Sequence, residues 1–408
     1  MNTKRLILGM LLLLSLLRTT AQTDAIQTAG GDSAEYPLQA AVWPQTMQAE
    51  LDSMMRDPLM DCTQLGIMVW DLTDDCSLFS MNHHQLLRPA STMKVLTAVT
   101  ALDLLGSQHQ FTTSLYYQGT ISDHTLMGDL YCVGGMDPAF GYDDLCAFAE
   151  SLQRLGIDTI CGYIMADVSM KDTLKWGEGW CWDDDNPVLS PLLVDRKPMF
   201  FPLFINVLIE KGIVLRDVTI GNGILPEGAL LVSERKRSMD QILLRMMKDS
   251  DNLYAESMYY QIAARAGDRY AKALDAQRQQ RALMERAGLS SIQYRLADGC
   301  GLSLYNYISV EAEVRVLRYA YQHRSVYDHL LPSLPIAGVD GTLKRRMKGT
   351  PAYNNVHAKT GTLTGICSLA GYGFELYNDK GKDRVFTVLL MAILATIGLV
   401  AFIIVSVL

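Results

Sequence analysis

The chain has 408 residues, of which 49% are hydrophobic and 20% are charged. This length and balance indicate a globular protein with a sizeable core and two or three domains, and they exclude a disordered chain. The net charge of -8 leaves no basic stripe to neutralise phosphates, so we expect no nucleic-acid partner.

The first residues have the pattern of an export signal. Lys4 and Arg5 precede the apolar run 6–17, and small residues follow as far as Ala21. The run is too short to span a membrane, which takes about 20 apolar residues. We therefore predict a signal peptide and a protein that works in the periplasm.

A serine and a lysine three positions apart open an apolar helix. Pro89 and Ser91 stand before residues 95–102, whose apolar positions repeat at helical spacing. Residues three apart share one face of a helix, so Lys94 can reach Ser91. Burial near a helix N-terminus makes a lysine hold its proton less tightly. The pair could be a serine nucleophile with its base, or only a helix cap beside a solvated lysine.

The remaining elements predict an α+β fold with an insertion. Strands at 65–71 and 76–81 form a hairpin that leads to the Ser91 helix, which should place Ser91 at a sheet edge. From about residue 108 the chain changes to short strands with one amphipathic helix, and short strands are predicted over 207–220. Long helices then return, and strands at 356–362, 366–374 and 385–391 follow.

Sheet segments at both ends of the chain with helices between them indicate one catalytic domain. The predicted parts are a signal peptide at 1–21, a first catalytic segment at 22–107, an inserted mixed α/β domain at 108–235, a second catalytic segment at 236–391 and an apolar helix at 392–408.

The eight cysteines allow disulfides in an exported protein, but their spacing leaves the pairing open. The seven histidines show no ligand spacing of a zinc site. We therefore predict no metal and no cofactor.

Three short motifs occur in a fixed order, each on the element that its chemistry needs: S-T-M-K from Ser91, S-D-N from Ser250 and K-T-G from Lys359. Each motif alone is a weak signal. Together, behind an export signal, they indicate a penicillin-recognising serine acyl-transferase.

The first two motifs supply the nucleophile and its proton relay. Ser91 would attack an amide carbonyl while Lys94 takes its proton. Ser250 and Asn252 would complete the relay and hold the acyl side chain.

The third motif supplies substrate binding. Lys359 and Thr360 offer a cation and a hydroxyl for a terminal carboxylate, and the backbone amides of Ser91 and Thr362 are the natural donors to the oxyanion. Gly361 keeps the strand free of bulk where substrate lies.

Longer blocks resemble the class C low-molecular-mass penicillin-binding proteins, the D-alanyl-D-alanine carboxypeptidase/endopeptidase family. The blocks are GDLYCVGGMDPAF from Gly128, SDNLYAES from Ser250, DGCGLS from Asp298, GVDGTLKRRM from Gly338 and HAKTGTLTG from His357.

The resemblance implies a serine transpeptidase-like fold, an antiparallel sheet with helices on both sides. It also implies cleavage of D-alanine from peptidoglycan stem peptides and cross-links, and covalent binding of β-lactam antibiotics. Cys300 departs from the serine usual in this family, and the segment 186–223 is shorter than the family's inserted domains.

Two other functions share the motifs. A class A β-lactamase would need E-x-x-x-N, which does not occur between Asn252 and Lys359. A non-catalytic penicillin receptor would be acylated yet release no D-alanine. Asp137 could contact a substrate amine or only cap the turn before Pro138.

The end of the chain has no charged residue after Arg384. We expect residues 385–391 to form a strand. The apolar residues that follow must be buried or lie in lipid, so membrane association through the C-terminus stays open.

Overall fold

The computed structural model describes residues 45–265, 267, 269–374 and 383–392. Within these residues the helices are α1 (Gln45–Met54), α2 (Met93–Leu105), α3 (Tyr142–Arg154), α4 (Phe200–Glu210), α5 (Met239–Lys248), α6 (Asn252–Ala263), α7 (Ala273–Arg286), α8 (Val310–Gln322) and α9 (Arg324–Ser333). The strands are β1 (Thr63–Asp71), β2 (Cys76–Met81), β3 (Gln110–Ser122), β4 (Thr125–Val133), β5 (Thr159–Cys161), β6 (Tyr163–Asp167), β7 (Val214–Leu215), β8 (Thr219–Asn222), β9 (Leu230–Ser238), β10 (Val356–Leu363), β11 (Ile366–Phe374) and β12 (Asp383–Ala392).

A five-stranded antiparallel sheet joins the two ends of the described chain. Its strand order is β10-β11-β12-β1-β2. Side chains alternate along β1, so that Ile67 and Val69 enter one core while Met68 enters the other. Helices α2 and α5 to α8 contribute to the Met68 core, and α1 contributes Leu51 to the other. The predicted α+β sheet with helices on both faces is confirmed.

Strand β10 lies at the edge of this sheet, and its outer side is covered only in part. Ile336 forms a bridge with His357, the Ala337 amide donates to Val356, and the Ala358 amide donates to Pro335. Residues 356–358 of β10 therefore pair with the segment 335–337 on the outer side of the strand.

A second sheet of seven strands, β3 to β9, contains both parallel and antiparallel pairs. Helices α3 and α4 pack on it through a separate apolar core that includes Phe148 and Phe204. These strands lie between Gln110 and Ser238, and all but the end of β9 fall in the part of the chain for which the sequence predicts an inserted domain. The boundaries 108 and 235 stay a prediction.

Several local predictions are wrong. Residues 207–210 are not strand but the end of α4, because Phe204, Val207 and Leu208 bury one helical face that a short apolar run does not distinguish from a strand. Helix α9 was not predicted. Between Thr159 and Asp167 the chain forms two strands, broken at Gly162, where φ is +146° and an added Cβ would lie 2.3 Å from the Gly128 carbonyl oxygen.

Strand β12 confirms the strand expected at 385–391. The predicted signal peptide and the apolar stretch after Ala392 lie outside the described residues. No helix within the described residues is long and apolar enough to cross a membrane. Among the cysteines whose side chains the structure describes, seven are free thiols: Cys76, Cys132, Cys146, Cys161, Cys181, Cys300 and Cys367.

Candidate active site

Ser91 lies in a short 3-10 turn, Ala90–Thr92, that leads directly into α2. Ala90 has a positive φ of 50°, which is costly for a residue with a Cβ. The turn is held from outside, since a Cβ added at Gly301 would lie 1.8 Å from the Ala90 carbonyl oxygen. Gly301 is therefore required for the close approach of its loop to the serine.

Lys94 is fully buried on the first turn of α2 and has three polar neighbours. Its Nζ lies 2.9 Å from Ser91 Oγ, 2.8 Å from Asn252 Oδ1 and 2.8 Å from the Cys300 carbonyl oxygen. Burial lowers the pKa of Lys94 below its usual value. The structure thus brings together Ser91, Lys94 and Asn252, three of the predicted site residues.

The loop that carries Cys300 is fixed by two buried carboxyl groups. Glu256 Oε1 accepts the backbone amides of Gly299 and Cys300, both at 2.8 Å, and Asp298 Oδ1 accepts the amide of Gly301 at 2.8 Å. Burial raises the pKa of Glu256 to about 8. Glu256, Asp298 and the Cys300 thiol offer three potential metal-ligand atoms within 4.8 Å. The carboxylates already hold the loop, which gives this cluster a structural role.

Asn252 is the first residue of α6, and its neighbours orient it. Asp251 caps the helix by accepting the amides of Leu253 and Tyr254. Arg196 lies in the segment between β6 and α4. Its two terminal guanidinium nitrogens, Nη1 and Nη2, donate to the Asp251 carboxylate at 2.7 and 3.2 Å.

Ser250 and Lys359 form the second hydrogen-bonded pair of the site. Lys359 Nζ lies 2.8 Å from Ser250 Oγ, and Ser250 has a positive φ of 61°. Lys359 is fully buried on β10, and it also donates to the Thr360 carbonyl oxygen at 2.6 Å. Burial and the nearby Lys94 amine hold the pKa of Lys359 well below its usual value. The two predicted amines therefore share one site.

The rest of the third motif lies against the Ser91 turn. A Cβ added at Gly361 would lie 2.9 Å from the Ser91 amide nitrogen, 2.7 Å from the Pro89 carbonyl oxygen and 2.0 Å from Ser368 Oγ. Strand β10 and the Ser91 turn are thus packed as closely as glycine permits. Thr362 is exposed one residue further along the same strand.

The hydroxyl of Thr360 has a partner outside the predicted motifs. It lies 2.7 Å from Thr342 Oγ1, in the loop between α9 and β10. Thr342 is exposed, so this hydroxyl pair borders solvent at the edge of the site.

The Pro89 carbonyl oxygen is a buried acceptor behind Ser91. It receives the Ser368 hydroxyl at 2.6 Å and the Thr92 hydroxyl at 2.8 Å. Thr92 Oγ1 also lies 2.5 Å from Glu313 Oε1 on α8. This chain of contacts links the Ser91 turn to the core of the domain.

Asp137 lies in the turn before Pro138, where its Oδ1 accepts the Ala139 amide at 2.9 Å. The capping role considered from the sequence is therefore present. Its Oδ2 is buried without a hydrogen-bond partner, and burial raises its pKa to about 6.

Sequence reasoning missed Glu256, Arg196, Thr342 and Glu313. Glu256 carried a signal, because it stands four residues after Asn252 on the same face of α6. The Cys300 carbonyl could not be found from side-chain patterns, since it acts through the backbone.

The antiparallel sheet, the helical core and the Ser91–Lys94–Asn252 cluster define a serine acyl-transferase of the penicillin-recognising class. The chain belongs to the D-Ala-D-Ala carboxypeptidase 3 (S13) family, whose model matches residues 47–196 and 193–395. Its enzyme class is therefore that of a serine-type D-Ala-D-Ala carboxypeptidase, a hydrolase.

Relatives in sequence and structure agree with this assignment. The D-alanyl-D-alanine carboxypeptidase DacB of Haemophilus influenzae is 26% identical, and the match covers 82% of this chain and 86% of that protein. The crystal structure of penicillin binding protein 4 (dacB) from the same organism matches with a TM-score of 0.77 at 23% identity, over 84% of this chain and 94% of that one. A complex of that protein with a β-lactam matches with a TM-score of 0.72 at 22% identity, over 88% and 97%.

Proposed function

We propose that the enzyme cleaves D-alanyl peptides through an acyl-enzyme on Ser91, with Lys94 as the base. The hydrogen bonds around Lys94 carry this proposal. A neutral amine has two N–H groups and one lone pair. The Asn252 side-chain oxygen and the Cys300 carbonyl oxygen can accept only, so they take the two hydrogens and leave the lone pair for the Ser91 hydroxyl.

The environment of Lys94 favours this neutral form. The side chain is fully buried, and burial lowers its pKa. A base must hold a free lone pair at the working pH and lie within hydrogen-bond reach of the proton that it takes. Lys94 meets the second requirement at 2.9 Å from Ser91 Oγ. Ser91 would then attack the D-alanyl carbonyl and release D-alanine.

The other predicted residues have roles that fit their positions. The amides of Ser91 and Thr362, on closely packed segments, would donate to the oxyanion. Thr360 and Lys359 would bind the terminal carboxylate, whose negative charge favours the protonated form of Lys359. Ser250, which contacts Lys359, would pass a proton to the leaving amine.

The substrate class follows from the family and from the motifs. We infer that the enzyme acts on peptidoglycan stem peptides and on D-alanyl cross-links, and that β-lactam antibiotics acylate Ser91. An export signal at 1–21 supports a periplasmic location, and the apolar end of the chain supports membrane association as a further proposal.

The direct test uses the purified mature protein with a fluorescent penicillin and with a D-Ala-D-Ala peptide. We expect Ser91→Ala to lose both labelling and D-alanine release, with an unchanged thermal unfolding curve. Labelling that persists in this variant would overturn the assignment of the nucleophile. Labelling of the wild type without any D-alanine release would favour a non-catalytic receptor.

A further inference from the structure

Glu313 is a buried carboxyl group on α8 that the proposed catalytic cycle does not use. Its side chain is 3% exposed, and Oε2 is buried without a hydrogen-bond partner. A cavity of about 10 Å³ beside it is lined by apolar side chains, which include Val95, Leu96 and Met284. A space of this size holds at most one water molecule. An ionised carboxylate in this place would be costly.

The contacts of Thr92 place the proton. A threonine hydroxyl has one hydrogen to donate. Its oxygen lies 2.8 Å from the Pro89 carbonyl oxygen, which can only accept, and 2.5 Å from Glu313 Oε1. Both contacts are hydrogen bonds at once only if Glu313 carries a proton and donates it to Thr92, while Thr92 donates to Pro89.

We propose that Glu313 is a neutral carboxylic acid and a positioning residue. Its carboxyl group donates a hydrogen bond to Thr92, and the Thr92 hydroxyl donates to the Pro89 carbonyl oxygen, which fixes this carbonyl behind the nucleophile. The Pro89 oxygen sits beside Gly361, where the Ser91 amide approaches the edge strand. Movement of this carbonyl would displace the Ser91 amide that is proposed to donate to the oxyanion. The functional part of this inference therefore rests on the proposed role of Ser91.

Charged groups on α2, α7 and α8 have partners elsewhere. On α7, Arg286 pairs with Asp103, and Glu285 accepts the Ser291 hydroxyl at 2.8 Å. On α2, Lys94 points to Ser91 and Asn252, and Asp103 bonds the Tyr319 hydroxyl. On α8 itself, Glu311 pairs with Arg315.

Within the described residues, no charged group contributes to the pKa of Glu313. Burial, the largest cause, raises the pKa of Glu313 to about 8. Ionisation of Glu313 should therefore weaken the site on the alkaline side.

The first test measures unfolding by denaturant from pH 5 to pH 9 for the wild type and for Glu313→Gln. An acid with a raised pKa in the folded state stabilises the fold at low pH and loses this contribution as pH rises towards 8. Glutamine does not titrate and keeps a donor for Thr92. We therefore expect the variant to gain stability relative to the wild type as the pH rises. Glu150→Gln is the control, because Lys211 lowers the pKa of Glu150 and its carboxylate stays ionised throughout.

The second test measures acylation by a fluorescent penicillin over the same pH range. We expect Glu313→Gln to stay within about twofold of the wild type at pH 7 and to lose less rate than the wild type above pH 8. Thr92→Val removes the hydroxyl between Glu313 and Pro89 but keeps the shape of the side chain. We expect this variant to be acylated about tenfold more slowly than the wild type at every pH. These are the effects expected from shifts of a fraction of an ångström at a catalytic group.

The two readouts separate the outcomes. A stability difference that does not change with pH would show that Glu313 is ionised, and it would overturn the proposal whatever the role of Ser91. Wild-type acylation in folded Thr92→Val would overturn the positioning role. If Ser91→Ala is still labelled, the proposed function fails while the unfolding test of Glu313 keeps its meaning.

Discussion

Gly361 gives the sharpest test of how the edge strand supports catalysis. In Gly361→Ala the new Cβ would lie 2.7 Å from the Pro89 carbonyl oxygen and 2.9 Å from the Ser91 amide nitrogen. Ordinary contact begins at 3.4 Å, so the oxygen would have to move by about 0.7 Å and the nitrogen by about 0.5 Å. The Ser368 hydroxyl, at 2.0 Å, would have to rotate and lose its bond to Pro89.

The cost follows from these displacements. A misplacement of about 1 Å at a reacting group can cost about 100-fold, so we expect kcat/KM for a D-Ala-D-Ala peptide to fall by roughly 10- to 100-fold. Overpacking of this kind lowers the free energy of unfolding by about 1–3 kcal/mol. Activity should therefore be measured well below the midpoint of thermal unfolding, with single-turnover acylation by penicillin as a second measurement.

Gly221→Ala is the matched control. Gly221 also lies in a strand, but an added Cβ would meet only Met165 Sδ at 3.9 Å. We expect this variant to keep wild-type activity and stability. A Gly361→Ala enzyme that is folded and acylates at the wild-type rate would refute the view that the strand sets the position of the Ser91 amide.

Two further predictions concern the first two motifs. The acylation rate should fall as pH decreases, because protonation uses the lone pair of Lys94. Since burial lowers the pKa of Lys94, the midpoint should lie below the value of about 10.4 for a free lysine, and a midpoint at that value in a stopped-flow pH profile would contradict the assignment. Arg196→Ala should slow acylation a few-fold. The free energy of unfolding should fall by only about 0.2–1 kcal/mol, because the Arg196–Asp251 pair is partly exposed and Arg245 still lies 3.3 Å from Asp251. Arg324→Ala, which removes an exposed pair elsewhere, is its control, and equal acylation rates in the two variants would argue against a positioning role for Arg196.

The parts of the site that the sequence could predict are those carried by side chains at fixed local spacing. Ser91 and Lys94 share a helix face, and S-D-N and K-T-G name residue types that only a few chemistries use together. The strand that pairs with β1 at the other end of the chain was also predicted, because its apolar run has strand length.

The parts that could not be predicted depend on the packing of distant segments. The Cys300 carbonyl reaches Lys94 only because its loop folds over the Ser91 turn, and any residue could supply that oxygen. Arg196 and Asp251 meet across 55 positions of the chain, and nothing in the local pattern joins them. Helix α4 was missed because its largely apolar run has too few polar residues to reveal its period.

The partly covered edge of the main sheet also bears on the behaviour of the protein in solution. An exposed edge strand can pair with the same strand of another molecule, and long flat edges promote aggregation. Here the bridge from Ile336 protects the first half of β10, and the Ser91 turn packs beside Gly361 in the second half. Aggregating segments commonly need about six consecutive residues in an open strand. The part of β10 beyond the Ile336 bridge, residues 359–363, is shorter than such a segment, so this edge offers less to a pairing strand than a long open edge would.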